Sequence, residues 1–320
     1  MTTRFRITLA IMLATALPAL AQNFPAKPVR VIIAFPPGSA TDIIGRVITQ
    51  KVGEQWGQNV LADNRGGAGG SIASAIAAKS APDGYTLIIN SLAHAVNPSM
   101  FAKLPYDTAR DFDDIMPLVG QPTVLVVRSD SRFASINAFI AEGKSHFGKI
   151  TFAFAGLGSG THLGLEKLKL SSRIDVTAVS YKGSGEVIVD VMGGRVDTYL
   201  APISAAMSYI RGNRLRALAV TTKKRTSQLP DTPTMVEAGL PGFDFSIWFG
   251  LWAPAGVPAP IVSKISSDFT RAIDDPGVRD KLVALGNEPI SMKPQEFRKF
   301  VRQEIGEYAR MFKAAGIKPQ

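Results

Sequence analysis

Two short stretches of the sequence, residues 35–41 and 154–161, place glycine, serine and threonine directly between an apolar run and a helical pattern. Their one-letter sequences are FPPGSAT and FAGLGSGT. The first turn of a helix leaves backbone N–H groups without intrahelical partners and carries partial positive charge. Such a helix end binds anions, and serine and threonine beside it add hydroxyl donors. Two of these loops facing each other across a cleft would suit a small carboxylate.

The same residue types also have a purely structural interpretation. Ser39, Thr41 and Asp42 are residue types that often cap the free N–H groups at helix N-termini. Residues 158–161 are likewise explained by a plain connection between a strand and a helix. The two roles are compatible, because one residue can cap a helix and contact a ligand.

Further candidates lie near the ends of other predicted strands. His94 comes three residues after Ser91 and could reach the same cleft, or it could be a structural histidine. His162 follows the second loop and could contact the ligand or only orient that loop. Tyr181 ends another strand. Asp197 would repel a carboxylate, so we expect it to bond to loop N–H groups or to a ligand amine or hydroxyl.

Sequence signatures of catalysis are missing. No serine lies in a Gly-x-Ser-x-Gly elbow, and the three histidines lack zinc-ligand spacing. The chain has no cysteine, which removes disulfides, thiolate metal sites and cysteine nucleophiles together. We therefore expect a binding protein, not an enzyme, without metal or cofactor. Two alternatives stay open: an exported hydrolase that uses Ser39 or Ser159 with a nearby histidine, and a ligand-sensing subunit of a signalling system.

The elements that position these residues alternate between strand-like and helix-like segments, which predicts an α/β fold with largely parallel sheets. In open α/β sheets ligands bind beyond the carboxyl ends of the strands, where both loops are expected to lie. A strand at 123–127 and the aromatic segment 243–253 would carry the chain from one lobe to another and back. Within that segment, Trp248 and Phe249 either line the cleft or fill the core.

The N-terminus has the pattern of an export signal. Arg4 and Arg6 precede the 11-residue apolar run 7–17, and small residues follow at 19 and 21. That run is well short of the roughly 20 residues that a spanning helix needs. We therefore expect a periplasmic protein. The predicted organisation is a signal peptide at 1–21, lobe 1 at 22–122 and 246–320, and lobe 2 at 123–245.

The formal net charge is +10, but the basic surplus is spread along the chain. Its dense cluster is at residues 223–225, and no basic stripe or aromatic platform typical of nucleic-acid binding is visible. A mild attraction for anionic solutes is the better interpretation, and no nucleic-acid partner is expected.

Eleven segments spread in order along the chain carry a resemblance to one family. They are residues 28–30, 35–38 with Asp42, 64–65 with 67–70, 81–87, 104–107, 158–159 with 162–163, 181–183, 194–197, 215–220, 237–242 and 248–250. On these segments the chain resembles the Bug family, the extracytoplasmic solute receptors of tripartite tricarboxylate transporters, over essentially all of the mature length.

The resemblance implies a two-lobed, type II-like periplasmic binding protein of the Venus-flytrap kind, with a ligand cleft between the lobes. It also implies carboxylate capture by residues 36–42 and 158–162, largely through backbone N–H groups and ordered water, with selectivity set partly by residues 201–204. Family ligands include di- and tricarboxylates, acidic amino acids and aromatic carboxylates. The implied partners are that ligand and the membrane subunits of a tripartite transporter, and we expect a monomer.

These arguments together define the candidate site. The candidate ligand-binding residues are Phe35, Pro37, Gly38, Ser39, Ala40, Thr41, Asp42, Ser91, His94, Gly158, Ser159, Gly160, Thr161, His162, Tyr181, Asp197, Ala201 and Ser204. Some positions depart from the family pattern: Ser39 stands where glycine is common, Gly66 where proline is common, and Ser180 where proline often occurs. Of these, we expect only Ser39 to touch the ligand.

Overall fold

Strands and helices alternate along residues 24–314 and 316–320, the part of the chain that this computed structural model describes. The signal peptide predicted at residues 1–21 lies outside the described residues. The strands are β1 (Val29–Ile33), β2 (Val60–Asn64), β3 (Thr86–Ser91), β4 (Phe112–Arg128), β5 (Thr151–Phe154), β6 (Thr177–Ser180), β7 (Thr198–Pro202), β8 (Leu215–Val220), β9 (Ser246–Pro254) and β10 (Glu288–Pro289). The helices are α1 (Ala40–Trp56), α2 (Ser71–Ala78), α3 (Ala93–Met100), α4 (Ile136–Ser145), α5 (Gly160–Ser172), α6 (Ser184–Met192), α7 (Ile203–Arg211), α8 (Ala259–Asp274), α9 (Pro276–Ala284) and α10 (Pro294–Ala314). This alternation confirms the predicted α/β class.

The strands form two sheets that share the long strand β4. The first sheet has the order β2-β1-β3-β9-β4, with β10 also paired to β4. The second has the order β4-β7-β5-β6, with β8 also paired to β4. β4 pairs with β9 up to Pro122 and with β7 from Thr123 onward. We call the first sheet with its helices lobe 1 and the second lobe 2; the limits of each lobe along the chain stay a prediction.

The expectation of largely parallel sheets is wrong at the centre of the molecule. β1 is parallel to β2 and β3, and β5 is parallel to β6 and β7. In contrast, β9 runs antiparallel to β3 and β4, and β4 runs antiparallel to β7, β8 and β10. The reason is the chain path: β4 leaves lobe 1 and β9 returns to it, so the two strands run in opposite directions.

β4 begins at Phe112, well before its predicted start at residue 123. Its register with β9 shifts between Pro117 and Val119. A strand tolerates proline at such an irregularity, whereas in the sequence alone proline indicates a break.

The strand ends place both Gly-Ser loops at the boundary between the lobes. β1 and β3 are almost fully buried, as parallel strands usually are. β1 leads through the first loop into α1, and β5 leads through the second loop into α5. None of the helices in the described part of the chain combines the length and apolarity that a bilayer crossing needs.

Candidate functional site

The first Gly-Ser loop ends in a capped helix. Ser39 has an extended backbone (φ −73°, ψ 161°), and its Oγ accepts a hydrogen bond from the Asp42 N–H at 3.3 Å. The Asp42 carboxylate accepts from the Gly38 N–H at 2.9 Å. It also accepts from the Arg46 and Asn64 side chains at 2.7 and 2.9 Å. Asp42 therefore fixes the loop to the start of α1, as the capping interpretation predicts.

The second loop repeats this arrangement with a histidine in place of the aspartate. Ser159 is also extended (φ −69°, ψ 161°), and its Oγ accepts from the His162 N–H at 3.2 Å. The His162 Nδ1 accepts from the Gly158 N–H at 3.3 Å. Burial lowers the pKa of His162, which keeps the ring neutral and Nδ1 free to accept. His162 thus orders the loop, one of its two predicted roles.

A small cavity lies between the two loops. It has a volume of about 30 Å³, which is room for about two water molecules. Its lining residues are Phe35, Ser39, Ala40, Thr41, Ser91, Ala155, Ser159, Gly160, Thr161, Ser184, Pro202, Ile247 and Phe249. Both lobes contribute, so the cavity is formed only when they come together.

Helix N-termini surround this cavity. Its lining includes capping or first-turn residues of α1, α5, α6 and α7. Ala40 and Thr41 open α1, and Gly160 and Thr161 open α5, so their backbone N–H groups precede the intrahelical hydrogen bonds. Each helix start adds roughly half a positive charge. No residue in the cavity lining is charged, as far as the described chain extends.

The two lobes touch across the cleft. A Cβ added at Gly69 of lobe 1 would come closer than 3.0 Å to the Leu157 carbonyl oxygen of lobe 2. A Cβ added at Gly183 would lie 3.0 Å from the Pro36 ring. The cleft is therefore closed, and the cavity is far smaller than the roughly 300–1,000 Å³ of typical small-molecule pockets. A small organic acid is larger than this cavity, so it would fit only if a hinge motion widened the cleft.

The structure separates the candidate residues into three groups. Those that line the cavity are Phe35, Ser39, Ala40, Thr41, Ser91, Ser159, Gly160 and Thr161. Those that shape the loops without lining it are Pro37, Gly38, Asp42, Gly158 and His162. Those that lie apart from the lining are His94, Tyr181, Asp197, Ala201 and Ser204.

His94 lies in the core of lobe 1. It is fully buried, with its ring centroid 4.6 Å from that of Phe112 and 4.5 Å from that of Trp252. Its Nδ1 lies 3.2 Å from Ser74 Oγ. Burial lowers the pKa of His94 to about 3. His94 is therefore a structural histidine and does not reach the cleft.

This burial makes the stability of the protein pH-dependent. The folded state keeps His94 neutral, whereas the unfolded chain takes up a proton below its ordinary pKa of 6.5. The stability associated with neutral His94 is fully present above pH 6.5, and it decreases as the pH falls from 6.5 to about 3. Between pH 7.5 and 5.0 we expect wild type to lose about 2 kcal/mol more unfolding free energy than His94→Gln. Urea unfolding at both pH values measures this, and equal losses would contradict it.

Asp197 and Tyr181 have structural partners. The Asp197 carboxylate accepts from the Thr151 N–H at 2.9 Å and from its hydroxyl at 2.8 Å, which joins β5 to the start of β7. The expected partners are loop N–H groups, whereas Thr151 is the first residue of β5. The Tyr181 hydroxyl donates to Asp190 at 2.7 Å, and burial together with that carboxylate raises the pKa of Tyr181 to about 12.

The segment 201–204 reaches the cavity through a different residue than expected. Ala201 is fully buried in β7, and the Ser204 hydroxyl donates to the Gln121 side chain at 3.3 Å. Pro202, between them, lines the cavity just before α7.

Five lining residues are absent from the sequence-based candidates: Ala155, Ser184, Pro202, Ile247 and Phe249. Ser184 is the first residue of α6 and comes shortly after a strand. The same strand-to-helix pattern identified the two Gly-Ser loops in the sequence. Phe249 and Ile247 lie on one face of β9, whereas Trp248 points the other way and donates to Glu304 of α10 at 2.8 Å. Of the two open interpretations, Phe249 lines the cleft and Trp248 fills the core.

Within the part of the chain that the structure describes, the side chains do not form a catalytic pair at the cavity. The Ser–His pair present, Ser74 with His94, is fully buried. Ser159 meets His162 through the histidine backbone N–H and not through the ring. In the described residues, His, Asp and Glu form no cluster that could hold a metal ion.

Comparison with known proteins identifies the family. The model of the tripartite tricarboxylate transporter family receptor, TctC, matches residues 44–317. Protein BugT of Bordetella pertussis is 35% identical over 321 residues, which cover 99% of this chain and 98% of BugT.

Two structures solved with dicarboxylates have the same fold. R. palustris Rpa4515, solved with adipate, has a TM-score of 0.89 at 32% identity, over 93% of this chain and 100% of that one. MatC from Rhodopseudomonas palustris, with bound malate, has a TM-score of 0.85 at 33% identity, over 90% and 99%. The two-lobed fold is therefore confirmed, and these relatives are receptors, not enzymes. The chain belongs to the tripartite tricarboxylate transporter receptor family, as its resemblance to the Bug proteins predicts.

Proposed function

We propose that this protein is a periplasmic receptor that closes around one small organic carboxylate and delivers it to the membrane subunits of a tripartite transporter. The observation that carries the proposal is the uncharged cavity between the lobes, surrounded by four helix N-termini. An anion at that point meets partial positive charge and N–H donors from both lobes at once. Binding is therefore coupled to closure.

The proposed contacts are the backbone N–H groups that open α1 and α5. Ala40 and Thr41 supply them from lobe 1, and Gly160 and Thr161 supply them from lobe 2. Because these groups are held by folded helices, they need little ordering when the ligand arrives. The hydroxyls of the capping serines complete the donor set. The relatives solved with adipate and malate support carboxylate as the ligand class.

A thermal-shift screen tests this proposal. The panel is citrate, malate, succinate, adipate, glutamate, nicotinate, benzoate and terephthalate, with neutral sugars as controls. A ligand at 100 times its Kd should stabilise the protein by about 2.7 kcal/mol, which raises Tm by several degrees. We expect at least one carboxylate and no sugar to do so. A shift with sugars alone would contradict carboxylate binding.

Delivery to a transporter is tested separately in cells. Deleting the gene should abolish uptake of the carboxylate found in the screen, and restoring it should recover uptake. If uptake is unchanged and only a transcriptional response to that carboxylate is lost, the protein is the ligand-sensing subunit of a signalling system. The two outcomes separate transport from sensing without changing the binding assignment.

A further inference from the structure

Among the hydroxyl groups that line the cavity, four share one hydrogen-bond pattern. Each of the four accepts a hydrogen bond from a backbone N–H, which occupies one of the two lone pairs on its oxygen. The pairs are Ser39 Oγ with the Asp42 N–H (3.3 Å), Ser91 Oγ with the Ala93 N–H (3.3 Å), Ser159 Oγ with the His162 N–H (3.2 Å) and Thr161 Oγ1 with the Ala155 N–H (2.9 Å). A hydroxyl that accepts in this way keeps its own proton to donate.

One of these protons is used within the protein. Ser159 Oγ and Thr161 Oγ1 lie 2.9 Å apart, so one of the two donates to the other. The remaining hydroxyl protons, with the backbone N–H groups that open α1 and α5, supply the cavity with hydrogen-bond donors. A carboxylate is an acceptor-only group and matches this set.

An ammonium group on a ligand is poorly matched to this lining. The Asp42 carboxylate in the first turn of α1 is engaged by the Gly38 N–H, Arg46 and Asn64, and it does not line the cavity. Within the described residues no aspartate or glutamate lines the cavity either. A buried ammonium would therefore lack a counter-charge and would face the positive ends of four helices.

The rest of the lining is apolar. Phe35, Pro202, Ile247 and Phe249 supply carbon surface beside the donors. This surface suits the carbon skeleton of an acid and offers no acceptor to a charged amine.

We propose that this cavity selects organic acids that carry no ammonium group beside the carboxylate, and that it rejects the amino acids of the same carbon skeleton. The inference rests on the proposed carboxylate receptor and narrows its ligand class. It removes acidic amino acids from the ligands that the family resemblance allows. A hydroxyl at the same carbon is tolerated, because it is close to an ammonium in size but carries no charge.

Matched triads of ligands test the inference. They are propanoate, lactate and alanine; succinate, malate and aspartate; glutarate, 2-hydroxyglutarate and glutamate; and adipate, 2-hydroxyadipate and 2-aminoadipate. Kd is measured by calorimetry for each. In every triad with a binding member, we expect the amino acid to bind at least ~100-fold more weakly than the hydroxy acid, because only the ammonium differs in charge.

The outcomes separate this inference from the proposed function. Equal affinity for a hydroxy acid and its amino acid would overturn the inference and leave the carboxylate receptor standing. If the hydroxy acid and the amino acid both bind more weakly than the unsubstituted acid by the same factor, the selection is steric, and the inference is overturned. If no acid in the four triads binds, the inference fails, and the wider carboxylate screen decides the proposed function.

A pair of variants at Ser91 supplies an independent check. Asp and Asn can both accept from the Ala93 N–H as Ser91 does, so both should keep the local turn. Ser91→Asp adds the missing carboxylate, and the preference for malate over aspartate should fall at least ~10-fold. Ser91→Asn should leave that ratio nearly unchanged. If both variants change the ratio equally, charge does not set the preference.

Discussion

Replacing Gly69 with alanine should weaken ligand binding by about 100-fold, or about 2.7 kcal/mol, while the protein stays folded. Gly69 lies where lobe 1 meets lobe 2, and an added Cβ would lie closer than 3.0 Å to the Leu157 carbonyl oxygen. That oxygen belongs to the backbone of the opposite lobe and cannot rotate away as a flexible side chain could. The methyl group therefore holds the lobes apart and prevents closure.

Gly57 provides a matched control. Gly69 has φ 58° and ψ 29°, and Gly57 has φ 60° and ψ 24°, so alanine meets the same left-handed strain at both positions. That strain costs about 1–2 kcal/mol of stability. A Cβ at Gly57 meets nothing within 4 Å. Gly57 also follows the far end of the 17-residue helix α1, about 25 Å from the cleft.

Two measurements distinguish closure from folding. Urea unfolding should show similar losses of stability for Gly57→Ala and Gly69→Ala, since both residues have the same backbone geometry. Calorimetry should show weaker binding for Gly69→Ala alone. X-ray scattering should show that ligand makes wild type and Gly57→Ala more compact and leaves Gly69→Ala extended. Wild-type affinity in Gly69→Ala would remove the Gly69–Leu157 contact from the closing mechanism.

A Ser39→Asp variant should lose binding by about 1,000-fold, because its carboxylate would lie beside the proposed position of the ligand carboxylate. Two like charges about 4 Å apart repel by about 4 kcal/mol near a protein surface. Ser39→Asn has nearly the same size without the charge and should lose no more than about 10-fold, for one hydroxyl contact.

The two substitutions at Ser39 differ little in their effect on folding. Ser, Asp and Asn are all favourable at the position that caps a helix, where Ser39 accepts from the Asp42 N–H. Thermal unfolding without ligand should therefore give similar Tm values for both variants. Equal ligand affinity in Ser39→Asp and Ser39→Asn would show that the ligand group beside Ser39 is not an anion.

The neutral lining also has a functional consequence. An arginine at the cavity would bind a carboxylate through a strong bidentate pair. In the proposed binding mode, helix N-termini and hydroxyls bind the anion through partial charges from both lobes, and this attraction would weaken as soon as the lobes separate. A receptor of this kind can bind its ligand when closed and release it when a partner opens the cleft.

The sequence by itself determines the local parts of the site. The two Gly-Ser loops, their capping serines and the following Asp42 and His162 interact within four residues, so their chemistry follows from spacing. The same spacing predicts free N–H groups at the starts of α1 and α5.

Only the tertiary structure decides which other residues join these loops. Ser91 ends β3 and His94 follows it closely, but packing turns Ser91 toward the cavity and His94 into the core. Along β9, Phe249 and Trp248 are both aromatic, so composition does not show which face meets the cleft. Residues distant in sequence, such as Ser184 and Pro202, reach the cavity because β4 and β9 connect two lobes that close on each other. The cavity depends on contact between the lobes, which no local pattern of residues encodes.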